Sequence, residues 1–319
     1  MILLSKATLL VIGASGLTGF KLVSIAKDRF NLYGTYNYRN PAFTHCENIQ
    51  LDVTDADLTR KLIEDLRPDV IVNTSAIHNV DYCEERKEEA RKVNVDAVRN
   101  LANVASKIGS RLIHISTDFV FDGKKGSYTE NDEPAPLSYY ALTKLEGEKA
   151  AQSAPSYAIV RPSVVYGWTP LETAQSKSSS GKPMNFALWC VTKLSNNEEI
   201  KAVTDQYTSP TLADNLAEVM LELAQLRENV LYHVSGLSCL NRYDFVVKLA
   251  QTMGFNTSLV KPTTSDQFKQ LAPRPKNSCL DCRKIQRELG IKLLTVEESL
   301  QIMKEQIAFE APTLLRKIL

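Results

Sequence analysis

The chain has little that would tie it to a membrane, a nucleic acid or a metal. Its 319 residues contain no uninterrupted apolar run of the roughly 18 residues a membrane span needs. Met1 to Lys6 leads straight into an apolar strand, without the apolar core and small-residue cleavage site of a signal peptide. No long block of one charge sign is present, and 38 basic against 37 acidic residues leave a formal net charge of +1. That balance argues against nucleic acid or an anionic membrane as the main partner, while leaving room for a local basic pocket for phosphates. Histidine is scarce. The six cysteines are scattered at Cys46, Cys83, Cys190, Cys239, Cys279 and Cys282. Only Cys279 and Cys282 have redox or metal spacing. With no second pair and no nearby histidine, no zinc or other metal site is expected. A cytoplasmic location is expected, and with it six ordinary reduced thiols.

What is present is a soluble globular composition, 44% hydrophobic and 24% charged, long enough for a large core and two domains. The first half alternates short apolar runs with helical patterns, as βαβ units do. Strands are predicted at Thr8–Ile12, Leu32–Tyr36, Val70–Asn73, Leu112–Ser116 and Ala158–Arg161. Helices are predicted at Phe20–Lys27, at Asp55–Leu66 with Thr54 as cap, at Glu84–Ile108 as one long helix, and at Tyr139–Gln152. Continuous apolar strands between amphipathic helices imply an α/β fold, a Rossmann-type doubly wound parallel sheet covered on both faces. Residues 1–165 are read as the dinucleotide-binding domain, with segments near 211–235 returning to it. Residues 166–319 are read mainly as a smaller α/β substrate domain. In that half, Trp168–Pro183 reads as a polar loop or lid and Lys261–Lys276 as irregular. Helices are predicted at Asn185–Asn196, Ala213–Leu226, Tyr243–Met253 and Val296–Phe309, with a strand at Leu231–Val234.

Two motifs carry the chemistry. Gly13-Ala14-Ser15-Gly16-Leu17-Thr18-Gly19 lies between an apolar strand and an amphipathic helix. Glycines there permit a tight turn and close backbone approach to a pyrophosphate at the helix N-terminus. Gly13, Ser15, Gly16, Leu17 and Gly19 are therefore candidate cofactor residues. The second strand ends in Tyr36-Asn37-Tyr38-Arg39 with no acid for the ribose hydroxyls of NAD. Arg39 can instead pair with a 2′-phosphate, so NADPH is the expected cofactor and NADH the alternative. Asp52 and Val53 are placed toward the adenine. Ser75 and Ala76, small residues after the strand Val70–Asn73, leave room at the carboxyl edge.

The second motif is Tyr140-Ala141-Leu142-Thr143-Lys144. Spacing of four puts the tyrosine and lysine on one helix face. The ammonium is expected to lower the tyrosine pKa toward working pH, which suits proton transfer at a carbonyl oxygen. Thr117, in Ser116-Thr117-Asp118 at the end of a strand, can donate to the same oxygen. Thr117, Tyr140 and Lys144 form a proposed catalytic triad for a nicotinamide-dependent enzyme acting on an alcohol or ketone, and Tyr140 and Lys144 are also candidate cofactor-binding residues. His114, inside an apolar strand, is read as packed, and His78 as a residue that can line the pocket. Trp168 and Trp189 are read as packing residues, with flanking the substrate as the alternative for either.

Together these residues resemble the extended short-chain dehydrogenase/reductase superfamily. Within it, the chain resembles the dTDP-4-dehydrorhamnose reductase family. The matching runs are Pro68 to Asn73, Val80-Asp81 with Glu84, Val93-Asn94, His114 to Gly123, Tyr128-Thr129-Glu130, Pro136, and Tyr140 to Lys144 with Gly147-Glu148. Asn185-Phe186, Asp205-Gln206, Pro210-Thr211 and Arg274-Pro275 extend the likeness over nearly the whole chain. The resemblance implies reduction of the 4-keto group of a dTDP-linked deoxysugar with NADPH or NADH. It also implies Asn185, Gln206 and Arg274 as holders of the sugar nucleotide. A sugar-nucleotide substrate and a homodimer through the long helices are thus the expected partners. The methionine adenosyltransferase regulatory subunit resembles the same family, so a non-catalytic NADP-binding role is the competing expectation. Another sugar-nucleotide reductase or epimerase is the alternative within enzymes. Departures from the family pattern cluster around the pocket: Ala76-Ile77-His78, Ala141, Arg161-Pro162-Ser163-Val164, and the serine-rich stretch before Asn185.

Overall fold

The computed structural model describes residues 6–170 and 185–316. Six strands of the first half are β1 (Thr8–Ile12), β2 (Asn31–Tyr36), β3 (Glu47–Gln50), β4 (Val70–Asn73), β5 (Arg111–Ile115) and β6 (Tyr157–Arg161). They join one later strand, β11 (Val230–His233), in a seven-stranded sheet of order β11-β6-β5-β4-β1-β2-β3. Every neighbouring pair is parallel. The order reverses between β1 and β4, so the carboxyl ends of these two strands open a crevice where such sheets bind ligands. Both faces are covered. Leu9 and Val11 face one apolar cluster and Leu10 and Ile12 the other, the two-residue alternation of a strand buried on both sides.

The connecting helices begin and end on identifiable residues. Helix α1 (Leu17–Ala26) follows the glycine turn. Helix α2 (Ala56–Leu66) is capped by Asp55, which accepts from the Leu58 amide at 2.9 Å. Thr54, predicted as the cap, instead donates its hydroxyl to Asp52. Arg67, in the left-handed region with φ 44°, ends the helix before Pro68. The long helix predicted from Glu84 is broken. Helix α3 (Val80–Glu85) starts earlier, on the cap Asn79, and stops at Arg86, whose ψ of 58° is not helical. A short α4 (Lys87–Arg91) then runs into a π-helical turn over Lys92–Asp96, before α5 (Ala97–Ile108). Gly109, with φ 77°, closes α5. Helix α6 (Tyr139–Ala151) is capped by Ser138.

The C-terminal half is built from smaller pieces. Three two-stranded pairings occur: β7 (Val165–Tyr166) with β10 (Thr211–Leu212), β8 (Ile200–Val203) with β13 (Val260–Thr263), and β9 (Tyr207–Thr208) with β12 (Leu240–Asn241). The strand β13 overlaps the start of the segment Lys261–Lys276 predicted as irregular. A second apolar cluster, with Trp168, Leu188, Phe245, Leu249 and Leu300, forms their core. The helix Ala213–Leu223 packs on α1 of the first half. The lid predicted at Trp168–Pro183 lies mostly outside the described residues. No helix among the described residues is long and apolar enough to cross a membrane.

Candidate active site

Gly13 follows β1 with φ +85°. A Cβ there would lie 3.0 Å from Thr74 Oγ1 and 3.1 Å from the Ser75 nitrogen. Thr74 fills that space to bond the Ile12 and Gly13 carbonyls at 2.8 and 3.1 Å. At Gly19 a Cβ would fall 2.4 Å from the Gly13 carbonyl oxygen. The turn therefore folds only with glycine at both places. Gly16 is the N-cap of α1 and has no side chain to satisfy the first-turn amides, and no acidic residue occupies that turn. Those amides and the helix dipole are open to an anion. Ser15 and Leu17 are half-buried beside it. The cradle thus fits a pyrophosphate on observation of its backbone alone.

Around it, Ser75 donates to Asn73 Oδ1 at 2.7 Å, which orders the segment after β4, and Ala76 is half-buried. Arg39 stands three residues past β2, half-buried. Asp52 is exposed and uses Oδ1 to accept from the amide and hydroxyl of Thr54, while Val53 is buried.

At the carboxyl end of β5, Ser116, Thr117 and Asp118 are all buried. Thr117 caps a 3-10 turn over Asp118–Val120, accepting from the Phe119 amide at 3.2 Å. Its hydroxyl reaches Asp118 Oδ1 at 3.1 Å, and it favours ionisation of the Tyr140 phenol against the effect of burial. Tyr140 lies at the start of α6 with its ring edge-on to Phe119, centroids 6.2 Å apart. Lys144, one turn on, is buried and donates from Nζ to the Ile115 carbonyl at 2.6 Å. Thr117 at the end of β5, and Tyr140 and Lys144 one turn apart on α6, stand on the same carboxyl side of the sheet as the glycine turn after β1.

The expected effect of Lys144 on Tyr140 is not what the structure shows. Burial raises the Tyr140 pKa, and the charges acting on it, Asp118 and Cys83, raise it further. Lys144 turns its ammonium to a backbone carbonyl, and its own pKa falls to about 8 because it is desolvated. Tyr140 is therefore a protonated phenol, not a phenolate.

Several supporting residues were not singled out from sequence. Glu148, on α6, and Arg161, on β6, form an ion pair with exposures of 3% and 4%. Arg161 donates at 2.8 and 2.7 Å to the two carboxylate oxygens, and Ser116 donates to the same carboxylate. Asn94, in the π-helical turn, accepts from the Ile77 amide at 2.9 Å. It also donates to the Ile77 carbonyl and to Thr143 at 3.0 and 3.1 Å. Gly147 lets α6 lie against that turn, since a Cβ there would meet the Asn94 carbonyl oxygen at 2.5 Å. The runs Val93-Asn94 and Gly147-Glu148 were the signal. His114 is fully buried, 3.2 Å from the Asn73 amide, with its pKa pushed well down by burial.

Comparison with known proteins places this geometry. The model of the RmlD substrate binding domain family matches residues 7–309. The chain belongs to that family. A dTDP-4-dehydrorhamnose reductase of Aggregatibacter actinomycetemcomitans is 34% identical over 299 residues, 90% of this chain and 94% of that protein. The methionine adenosyltransferase 2 subunit beta of Xenopus tropicalis is 32% identical over 290 residues, 88% of this chain and 82% of that protein. The crystal structure of dTDP-4-dehydrorhamnose reductase from Bacillus anthracis, in complex with NADP, superposes with a TM-score of 0.80. It is 26% identical and covers 94% of this chain and 99% of that one.

The remaining candidates of this RmlD-family chain have structural duties that spacing did not reveal. Asn185 caps the helix Phe186–Ser195, accepting from the Leu188 amide at 3.2 Å and donating to the Gly167 carbonyl at 2.9 Å. The helix predicted from Asn185 thus begins one residue later. Arg274 is locked to Asp81, NH1 to Oδ1 at 2.6 Å and NH2 to Oδ2 at 2.7 Å. That bond holds the Asp81 pKa down at about 2. Gln206 is half-buried and bonds Gln270 at 3.4 Å, and His78 is exposed. Trp168 is buried and donates to Glu310 at 2.8 Å, while Trp189 is 38% exposed. The expectation of six free thiols fails for two: Cys239 and Cys279 are disulfide-bonded. The β9–β12 pairing and the Tyr207–Asn277 bridge bring their segments side by side. Cys46, Cys83, Cys190 and Cys282 are free and buried.

Proposed function

We propose that this chain is an NADPH-dependent reductase of a sugar nucleotide, converting the 4-keto group of dTDP-4-dehydrorhamnose to the alcohol of dTDP-rhamnose. NADH is the alternative donor. The placement of Thr117, Tyr140 and Lys144 on the carboxyl side of the sheet that also carries the glycine cradle supports this reading. Residues 1–165, with the return near 211–235, serve the cofactor, and 166–319 mainly the substrate.

Bound NADPH supplies a hydride to the carbonyl carbon. Tyr140 gives its phenolic proton to the carbonyl oxygen, and burial keeps that proton in place until then. Thr117 donates a hydrogen bond to the same oxygen as charge develops. Lys144, one turn along α6 with its ammonium held on the Ile115 carbonyl, is positioned to hold the nicotinamide ribose. Arg39 supports the preference for a 2′-phosphate, and Gly13 to Gly19 hold the pyrophosphate. A cytoplasmic location suits both nicotinamide and sugar-nucleotide supply.

The test is to mix the protein with NADPH and dTDP-4-dehydro-β-L-rhamnose and follow the loss of reduced-nicotinamide absorbance. Wild type consumes NADPH. Tyr140→Phe binds it but turns over about a hundredfold to ten-thousandfold more slowly. Full turnover by that variant would remove Tyr140 as donor. Because Lys144 titrates at about 8, kcat falls as pH rises through that value and the ammonium is lost. The likeness to the methionine adenosyltransferase subunit favours a second reading, a regulatory subunit. NADPH binding without turnover of any keto sugar nucleotide, together with copurification of a synthetase, would select it.

A further inference from the structure

Arg274 is the arginine that sequence points to for an anionic substrate group, yet its fork is already filled. Both terminal nitrogens hold Asp81, and NH1 also donates to the Ala272 carbonyl at 2.6 Å. Asp81 in turn accepts from the Leu271 and Ala272 amides, each at 3.0 Å. This cluster closes a loop and leaves little guanidinium edge for a ligand.

Arg242 is placed differently. It opens the helix Arg242–Met253, directly after the cap Asn241. The antiparallel register of β12 on β9 sets Asn241, the residue before Arg242, opposite Tyr207, the residue after Gln206. Its guanidinium carbon stands 4.8 Å from the ring centroid of Phe186. Phe186 is itself fixed by Trp189 and Phe245, with centroids 6.1 Å away in each case. Arg242 is half-buried and makes no ion pair or side-chain hydrogen bond among the described residues. Asp118, next to Thr117, and Arg274 both lie within its electrostatic reach. A desolvated guanidinium without a carboxylate is costly to hold. An aromatic face beneath it steadies the plane while its N–H edge stays free for two parallel bonds to an oxyanion.

We propose that Arg242, steadied on Phe186, is the ligand of the substrate's diphosphate and sets the preference for nucleotide-linked over free sugars. The proposal rests on the sugar-nucleotide reductase reading. It assigns to Arg242 the anion contact that the family resemblance implies for Arg274, and it places that contact within reach of Asp118, next to Thr117.

The experiment is calorimetric titration of dTDP into the NADPH-loaded protein, alongside steady-state kinetics with the keto sugar nucleotide. Arg242→Gln weakens dTDP binding about tenfold to hundredfold, as loss of a charge-assisted pair does. KM for the sugar nucleotide rises by a similar factor, kcat changes far less, and NADPH affinity is unchanged. Arg242→Lys restores only part of the loss, because lysine lacks the fork. Phe186→Leu weakens dTDP about two- to fivefold. If Arg242→Gln binds dTDP like wild type, or if Arg274→Gln alone abolishes binding, the proposal is overturned. Should Arg242→Gln lose NADPH binding through misfolding, wild-type dTDP affinity in both Arg242→Lys and Phe186→Leu overturns it. A wild type that binds NADPH but neither dTDP nor UDP fails the reductase reading itself, a result distinct from the others.

Discussion

The seven-stranded sheet and the cluster of two-stranded pairings beyond it hold together by different means. In the sheet, the central strands β1 and β4 are apolar runs paired along their length with parallel neighbours, and buried polar groups between the sheet and α6 form a closed hub. Glu148 is the acceptor of that hub, for Arg161 from β6 and Ser116 from the end of β5. Arg161 also faces His233 of β11 at 3.5 Å. Beyond Tyr166, pairings are two to four residues long. Order there comes from point contacts between distant segments: Asp81 with Arg274, Cys239 with Cys279, and Ser278 with Asp118. A hub distributes strain over the whole sheet, whereas a point contact fixes one loop. In the proposed function, proton transfer sits on the first kind of support and substrate recognition on the second.

The hub is the place where a single change costs most. Glu148→Ala leaves Arg161 buried and unpaired, which destabilises by about 3–5 kcal/mol. Because α6 carries Tyr140 and Lys144, turnover falls with stability. Urea unfolding checks this. A loss below about 1 kcal/mol, the range of surface pairs, would mean that the hub is not a closed unit and that the contrast with the loop region is overstated.

The disulfide is the corresponding break in the second region. Cys239 and Cys279 are 40 residues apart, a loop whose cross-link is worth about 2–4 kcal/mol. Cys239 is exposed, so thiol reductants reach it. Reduction, or Cys239→Ser, lowers Tm and loosens the strand that precedes Arg242 and the segment that carries Ser278. Far-UV circular dichroism of the sheet changes little below the transition. An unchanged Tm after reduction would show that the pairing contributes nothing to the region.

The same contrast explains what could be read without coordinates. β1, β4, β5 and β6 were legible because runs such as Val70-Ile71-Val72 are apolar on both faces. The glycine cradle was legible because Gly13 and Gly19 answer to local sterics. The placement of Thr117 at a strand end and of Tyr140 and Lys144 one helical turn apart was legible because both are local facts. The break at Arg86 was not, since Asn94 makes its bonds to Ile77 through a π-helical turn that helical periodicity does not reveal. Nor were the duties of Asn185 and Arg274, whose partners Gly167 and Asp81 are 18 and 193 residues away. The pKa of Tyr140 was misjudged because four-residue spacing fixes the helix face but not where the Lys144 ammonium points.

A smaller change probes where the two regions meet. Ser278 is buried and donates to Asp118 Oδ2 at 2.5 Å, beside Ser163, which donates to the same oxygen at 2.7 Å. Burial raises the Asp118 pKa, and these hydroxyls pull against it. Ser278→Ala removes one of them and raises the pKa further, at a cost of about 1–2 kcal/mol at neutral pH. The sign follows from linkage. With its folded pKa above the unfolded value, Asp118 binds more protons in the native state across that interval, so its burden on stability grows as pH rises through the folded pKa. Below the ordinary carboxyl range the group is neutral in both states, and the deficit of Ser278→Ala shrinks to that of a neutral hydrogen bond. Urea midpoints of wild type and variant should therefore converge as pH falls. A gap that stays constant would mean that Ser278 braces the loop by packing alone, without tuning the carboxylate next to Thr117.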